Sequence, residues 1–267
     1  MPTSSKFPLP SLRQWDKVTL YLSIAAIVAL AWWYLIAMAA SMTGSSVVST
    51  MASMDMQSPT DLQLWTPQTF WMMFVMWTVM MVGMMLPSAV RTIMIYARVA
   101  QQANRAIVPA TFCFISGYLI AWTGFSLAAT GAQWWLNQHA LLSPMMVSTS
   151  TLLAASLLII TGLYQLTPLK EACLSHCQSP IDFISRHFKK GYLGAMRVGL
   201  HHGLYCLGCC WALMSLLFIA GVMNLLWILA ITLFVLVEKL LPANPHTTGI
   251  SGTVMIFLGI YLLTFHS

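Results

Sequence analysis

About seven apolar runs divide this chain, each close to the roughly 20 residues that a helix needs to cross a ~30 Å hydrocarbon layer. They fall near 19 to 40, 68 to 89, 109 to 135, 149 to 167, 199 to 221, 224 to 241 and 249 to 265. Of the 267 residues, 59% are hydrophobic and only 7% charged, whereas a soluble domain has about a quarter of its residues charged. A water-exposed surface built from this composition would carry apolar patches far larger than a monomer tolerates. No region is polar enough to form a separate soluble domain, which argues against a multidomain enzyme held by a membrane anchor. The expected fold class is therefore all-α, a polytopic transmembrane bundle of about seven helices in a lipid bilayer.

Basic residues set the expected orientation. With the N-terminus inside, Lys6, Arg13 and Lys17 precede the first run, Arg91, Arg98 and Arg105 follow the second, and Lys170 to Arg197 follow the fourth, while Lys239 ends the sixth. Every Lys and Arg then lies on the cytoplasmic side, and the outer segments 41 to 67, 136 to 148 and 221 to 224 contain none. The net charge of +6 reports this topology and implies no nucleic-acid partner. The chain is expected to comprise a cytoplasmic segment 1–18, a first transmembrane helix 19–40, an extracytoplasmic Met/Ser-rich loop 41–67 and a six-helix metal-binding membrane domain 68–265. The first run is too long for a typical secretory h-region, so it reads as an uncleaved signal anchor. Cleavage near Ala39, Ala40 and Ser41 would leave six helices in the same orientation. Trp65 and Trp71 at the outer start of the second helix, and Trp134 and Trp135 at the end of the third, suit the two interfaces. From Pro180 to Lys190 apolar and basic residues alternate at helical spacing, predicting a short helix on the anionic inner leaflet. There is no internal repeat, phosphate loop, G-x-G-x-x-G or H-E-x-x-H pattern.

Five of the six cysteines fall in two short segments that this topology brings to one face of the bilayer. One contains Cys173, His176 and Cys177; the other runs His201-His202-Gly-Leu-Tyr-Cys206-Leu-Gly-Cys209-Cys210. In helices, Cys173 and Cys177 are i and i+4 neighbours, as are Cys206 and Cys210, Cys209 is i+3 from Cys206, and His202 lies one turn before Cys206. A thiolate near hydrocarbon is costly unless a cation neutralises it, so clustered thiols with adjacent histidines point to a soft metal. The bland alternative, Cys as a small buried hydrophobe, fits lone Cys113. A reducing cytoplasmic face disfavours disulfides.

The second helix adds Met72, Met73, Met76, Met80, Met81, Met84 and Met85, followed by Pro87. Met80 with Met84, and Met81 with Met85, stack at i and i+4. Such a stripe by itself is packing, but thioether and thiolate together select Cu(I), whereas Zn(II) would use the cysteines and histidines alone. Met42, Met51, Met54, Asp55, Met56 and Asp61 in the outer loop suggest either copper capture or an accidental low-complexity segment. His139, Met145 and Met146 are weaker. Glu238 pairs with Lys239 at the headgroups or supports a ligand histidine, the simple pairing being preferred. His187, His246 and His266 suggest no partner.

Several motifs carry a family resemblance: Met84-Met85-Leu-Pro87-Ser-Ala, Gly117-Tyr-Leu, Trp122-Thr-Gly-Phe-Ser-Leu, Tyr164-Gln-Leu-Thr-Pro168-Leu-Lys170, Cys173-Leu-Ser-His176-Cys177-Gln-Ser-Pro180, His202-Gly-Leu-Tyr-Cys206-Leu-Gly-Cys209-Cys210-Trp-Ala-Leu-Met214 and Glu238-Lys239-Leu-Leu-Pro242. From about 65 to 264 the chain resembles a bacterial family of predicted metal-binding integral membrane proteins, a domain of unknown function sometimes labelled a copper chaperone. The resemblance implies a multi-pass protein of the bacterial cytoplasmic (inner) membrane whose thiols and Met-Met-x-Pro motif form the site. Gly83 and the Arg91-Thr92 pair depart from the family pattern, where Ala and a Pro-containing segment are usual.

The leading expectation is a Cu(I)-handling protein without catalytic turnover, delivering copper to a cuproenzyme, receiving it from a copper donor, or passing it across the bilayer. The alternatives are a membrane thiol-disulfide oxidoreductase built on Cys206-x-x-Cys209 with Cys173 or Cys177, and a structural or assembly subunit stapled by Zn(II).

Overall fold

The computed structural model describes residues 12–52, 65–103, 106–139, 150–189, 191–222, 224–240 and 245–265, with the side chains of 42–52, 220 and 245–247 outside the description. The described chain is helical and contains no strand. In order the helices are α1 (Gln14–Ala52), α2 (Pro67–Gln102), α3 (Ile107–Gln138), α4 (Thr151–Gln165), α5 (Pro168–Gln178), α6 (Pro180–His187), α7 (Tyr192–Ser215), α8 (Leu217–Ala220), α9 (Leu225–Leu240) and α10 (Pro245–Phe265).

Local chemistry explains where these helices start and stop. Thr66 caps α2 by accepting from the Thr69 amide at 3.2 Å, and Pro67 opens the helix where its missing N–H is no loss. Ser150 caps α4 in the same way, accepting from the Leu153 amide at 3.3 Å. Pro168 and Pro180 divide Thr151–His187 into three helices, α4, α5 and α6, because a residue preceding proline is pushed out of the helical conformation. Thr167 then caps α5, which leaves α4 at a 66° bend.

Five stretches are long and apolar enough to cross a membrane: Gln14–Ser41, Pro67–Gln102, Ile107–Gln138, Tyr192–Ile219 and Thr248–Phe265. The bent pair α4 and α5 is a sixth candidate. The expectation of about seven spans is therefore met only in part. α9 has 16 residues, or about 24 Å of helix, and stops where the description stops. Other boundaries also moved. α1 continues helically to Ala52, into the expected outer loop, and α2 runs 13 residues beyond the expected end at 89. The short helix expected from Pro180 is present as α6.

The interior is apolar, and so is much of the exposed surface. Met76, Met80, Met81, Met84 and Met85 of α2 are buried with Trp77, whereas Leu226 (79% exposed), Trp33 and Phe257 (68% each) point outward. The inner packing is set by small residues. α3 crosses α7 so closely that a Cβ on Gly117 would stand 2.0 Å from the Met196 carbonyl oxygen, and one on Gly199 1.9 Å from that of Phe114. Gly203, four residues after Gly199, faces Ala121 and the Tyr118 carbonyl. α4 and α10 repeat the device, with Gly162 against the Gly252 carbonyl and Gly259 against that of Ala155. Such close backbone approach lets helices gain van der Waals contact where no hydrophobic drive separates them from lipid. α1 packs on α2 beside Gly83, where a Cβ would meet Ala31 at an ordinary 3.4 Å. An alanine at position 83 would therefore fit in ordinary contact.

Candidate functional site

The α3–α7 crossing brings Tyr118 to the helix that carries the thiols. Cys206, Cys209 and Cys210 are all buried on α7, and Cys177 on α5 joins them because α5 packs along α7. Cys177 lies within electrostatic reach of Cys206 and Cys209, and Cys210 within reach of the same two thiols. Within α7 the Cys209 and Cys210 thiols also donate to the Cys206 carbonyl, at 3.1 and 2.8 Å. Four thiols from two helices are thus neighbours in one buried region. Cys173, half-buried, lies beside them: its sulfur would be 2.8 Å from a Cβ on Gly208, so the glycine makes room for it.

Two further groups meet Cys206 that the spacing of soft ligands does not pick out. The Tyr118 hydroxyl is 3.1 Å from the Cys206 sulfur and donates to the Met85 carbonyl at 3.1 Å. The Lys239 ammonium donates to the same sulfur at 2.9 Å and to the Ser88 hydroxyl at 3.0 Å. α3 and α9 therefore meet the α7 sulfur directly, and α2 holds both of their groups through the Met85 carbonyl and the Ser88 hydroxyl. A signal for Lys239 exists in the sequence, since an ionisable residue ending an apolar run is costly unless it has a partner. Its partner was not legible, because its chain neighbour Glu238 offers the obvious charge.

The expected Glu238–Lys239 pairing at the headgroups is incorrect. Both side chains are buried, and Glu238 instead accepts from Lys170 of α5, which also reaches Gln165. Gln178 donates to the Glu238 carbonyl at 3.0 Å. Consecutive residues on a helix point about 100° apart, so Glu238 faces α5 while Lys239 faces the thiols. Lys170 and Lys239, counted as surface charges in the sequence, are interior.

The remaining candidates separate into those near the thiols and those turned away. His202 is buried one turn before Cys206, its ring 5.7 Å from Tyr118 and 5.4 Å from Phe183, and its Nδ1 has no hydrogen-bond partner. His176 is half-buried; its Nδ1 pairs with the Ala172 carbonyl and its ring stacks on Tyr205 at 4.3 Å. That holds it outside the cluster. Met80, Met81, Met84 and Met85 belong to the same buried core as the thiols, Met85 touching the network through its carbonyl. Met73 accepts from Gln133 at 3.7 Å, and Met72 is exposed. Cys113 packs on the core as a lone small residue, and His139 lies 4.6 Å from Trp135. Met54, Asp55, Met56, Asp61, Met145, Met146 and His266 lie outside the described residues, as do the side chains of Met42, Met51 and His246.

Among the described residues no three His, Cys, Asp or Glu side chains are arranged as a metal-holding group. The donor set nevertheless suits a soft ion: it offers thiols in excess, a buried imidazole nitrogen without a partner, and neighbouring thioethers. Lys239 meanwhile supplies the positive charge that a thiolate at Cys206 requires.

No curated protein and no solved structure matches the chain. Residues 74–262, about 70% of the chain, match the PpoB2 family, described as copper chaperone. This span holds the buried thiols, His202, Tyr118, Lys239 and the core methionines of α2 from Met76 onward, and by it the chain belongs to that copper-chaperone family.

Proposed function

We propose that the protein carries Cu(I) as cargo, taking it from a copper donor and releasing it to a cuproenzyme or across the bilayer, with the buried thiols as its holding point. The observation that carries this reading is the meeting of Cys177, Cys206, Cys209 and Cys210 beside the unpartnered His202 nitrogen. Cu(I) is d¹⁰ and soft, and thiolate with thioether donors favour it over zinc. Capture needs χ1 rotations of Cys209 and Cys210 away from the Cys206 carbonyl, a move between ordinary staggered rotamers. Charge closes simply. Cys206 thiolate with Lys239 ammonium is neutral, and one incoming Cu(I) is balanced if a second thiol gives up its proton as its sulfur binds. Transfer onward is then ligand exchange, with no change of oxidation state and no catalytic turnover. Met84 and Met85, with Met80 and Met81 one turn earlier, are the thioethers that would complete coordination. Cys173 and His176, both half-buried, stand where an ion would arrive or leave.

In this reading the helices cross a bacterial cytoplasmic membrane seven times with the N-terminus inside, α4 and α9 being the short crossings. The lipid-facing apolar residues of α1 and α10 support insertion, and the absence of Lys and Arg from 41–67 and 136–148 supports the orientation. One observation favours a second reading: Lys239 and Tyr118 at Cys206 are what an attacking thiolate of an oxidoreductase would need.

Elemental analysis of purified protein with Cu K-edge absorption distinguishes the readings. Bound copper with sulfur scatterers supports the chaperone, redox-active thiols without metal support the oxidoreductase, and stoichiometric zinc supports a structural staple. The Met84→Leu, Met85→Leu double variant sharpens the test. Leucine conserves volume at a cost usually below ~1.5 kcal/mol, so copper occupancy should fall while the fold and zinc affinity hold. Unchanged copper binding would reduce these methionines to packing.

A further inference from the structure

We propose that the cavity between the end of α6 and the first turns of α7 binds a phosphate group. The cavity has a volume of about 140 Å³ and is lined by Arg186, His187, Lys189, Arg197 and His201 over a floor that includes buried Val198. Three cations and two imidazoles therefore border one space, and among the described residues no carboxylate lines it. Cations gathered around one cavity repel each other, and an anion bound among them relieves that cost.

The fold holds these groups in place. Arg197 and His201 are i and i+4 on α7, so they point to the same side. Gly191 takes a left-handed φ of 92°, and Gly194 lies so near Lys189 that a Cβ would stand 2.7 Å from its carbonyl oxygen. That turn folds Lys189 back over the start of α7. The His187 Nδ1 pairs with the Phe183 carbonyl at 2.9 Å and its ring lies 5.8 Å from His201, bringing the two imidazoles to one side. Arg186 gives its Nε to Asp182 at 3.0 Å, in a solvent-exposed pair. Its terminal N–H groups are left for a second acceptor, and a guanidinium can hold a phosphate through two parallel hydrogen bonds. The copper reading uses none of these residues.

Phosphate chemistry reaches this place from two sources, the headgroup of an anionic phospholipid and free phosphate in solution. The intact chain is reconstituted in nanodiscs of phosphatidylglycerol or of phosphatidylcholine and released for native mass spectrometry, and inorganic phosphate binding is measured separately in detergent by calorimetry. Selective retention of phosphatidylglycerol assigns the headgroup; phosphate binding in detergent assigns the free anion. Each cation removed should weaken binding about fivefold, so Arg197→Gln with Lys189→Gln should lose more than tenfold. Arg197→Lys should keep most of it, and Arg91→Gln, an exposed cation on α2, should be neutral. Size-exclusion and circular-dichroism profiles matching the parent exclude misfolding as the cause, and Arg197→Lys gives a folded comparison at the same position. The proposal is overturned if neither phosphatidylglycerol nor phosphate binds selectively, or if Arg91→Gln weakens binding as much as the cavity variants do.

Discussion

The α3–α7 crossing is the contact on which the thiol site depends, and Gly199→Ala tests it directly. An added Cβ would stand 1.9 Å from the Phe114 carbonyl oxygen and 2.8 Å from its carbon, where real Cβ atoms essentially never come within 3.0 Å. The obstacle is backbone on both sides, so no side chain can swing away. The two helices must part by about 1 Å at this level. Overpacking of this kind costs about 1–3 kcal/mol. Further along the crossing, the opening stretches the 3.1 Å contact between Tyr118 and Cys206 and puts at risk one hydrogen bond, worth about 0.5–1.5 kcal/mol. The expected destabilisation is about 1.5–4.5 kcal/mol, read from denaturant unfolding in micelles. Gly124→Ala is the control, since nothing lies within 4 Å of a Cβ there, and alanine in an open helical position should gain roughly 0.5–1 kcal/mol. The same variants are assayed for bound copper, which should drop in Gly199→Ala alone. If Gly199→Ala proves as stable as Gly124→Ala, the helices do not cross as described and the assembly of Tyr118 with Cys206 loses its basis.

Other predictions concern charges and access. Lys170→Met or Glu238→Gln strands one member of a buried ion pair and should cost about 3–5 kcal/mol, while the double variant should cost clearly less than the two together; strict additivity in unfolding experiments would mean the pair is not coupled. Asp182→Asn removes an exposed i,i+4 pair with Arg186 and should change stability by no more than about 0.5 kcal/mol, so a larger loss would show that this pair does structural work. Cys173, the accessible thiol of the site, should resist membrane-impermeant maleimide in intact cells and react after permeabilisation, ahead of buried Cys206, Cys209 and Cys210. Rapid labelling from outside would reverse the orientation.

The helical class was legible because it follows from local quantities. Apolar runs near 20 residues and a 7% charge content leave helices as the economical way to satisfy every backbone group, and Pro168 and Pro180 mark their own breaks. The thiol spacing was equally local: Cys206 and Cys210 share a face in any α-helix, and their contact depends on nothing distant. α6 appeared where amphipathic spacing placed it. The exact number of crossings was less legible, since α4 turns through 66° into α5 and α9 is short for a span.

Partner identity required the tertiary structure. Glu238 and Lys239 are adjacent in the chain and opposite in charge, yet they face different neighbours because each residue turns the helix by about 100° and α9 is wedged between α5 and α2. His176 is the chain neighbour of Cys177 and His202 stands four residues before Cys206, yet the half-buried His176 stacks on Tyr205 while His202 is buried against Tyr118 and Phe183. Tyr118 comes from a helix 88 residues before Cys206 and meets it only because Gly117, Gly199 and Gly203 let two backbones touch. Sequence spacing determines which residues share a face of one helix; the rotation and closeness of the neighbouring helices determine what that face meets, and those are decided by packing over the whole bundle.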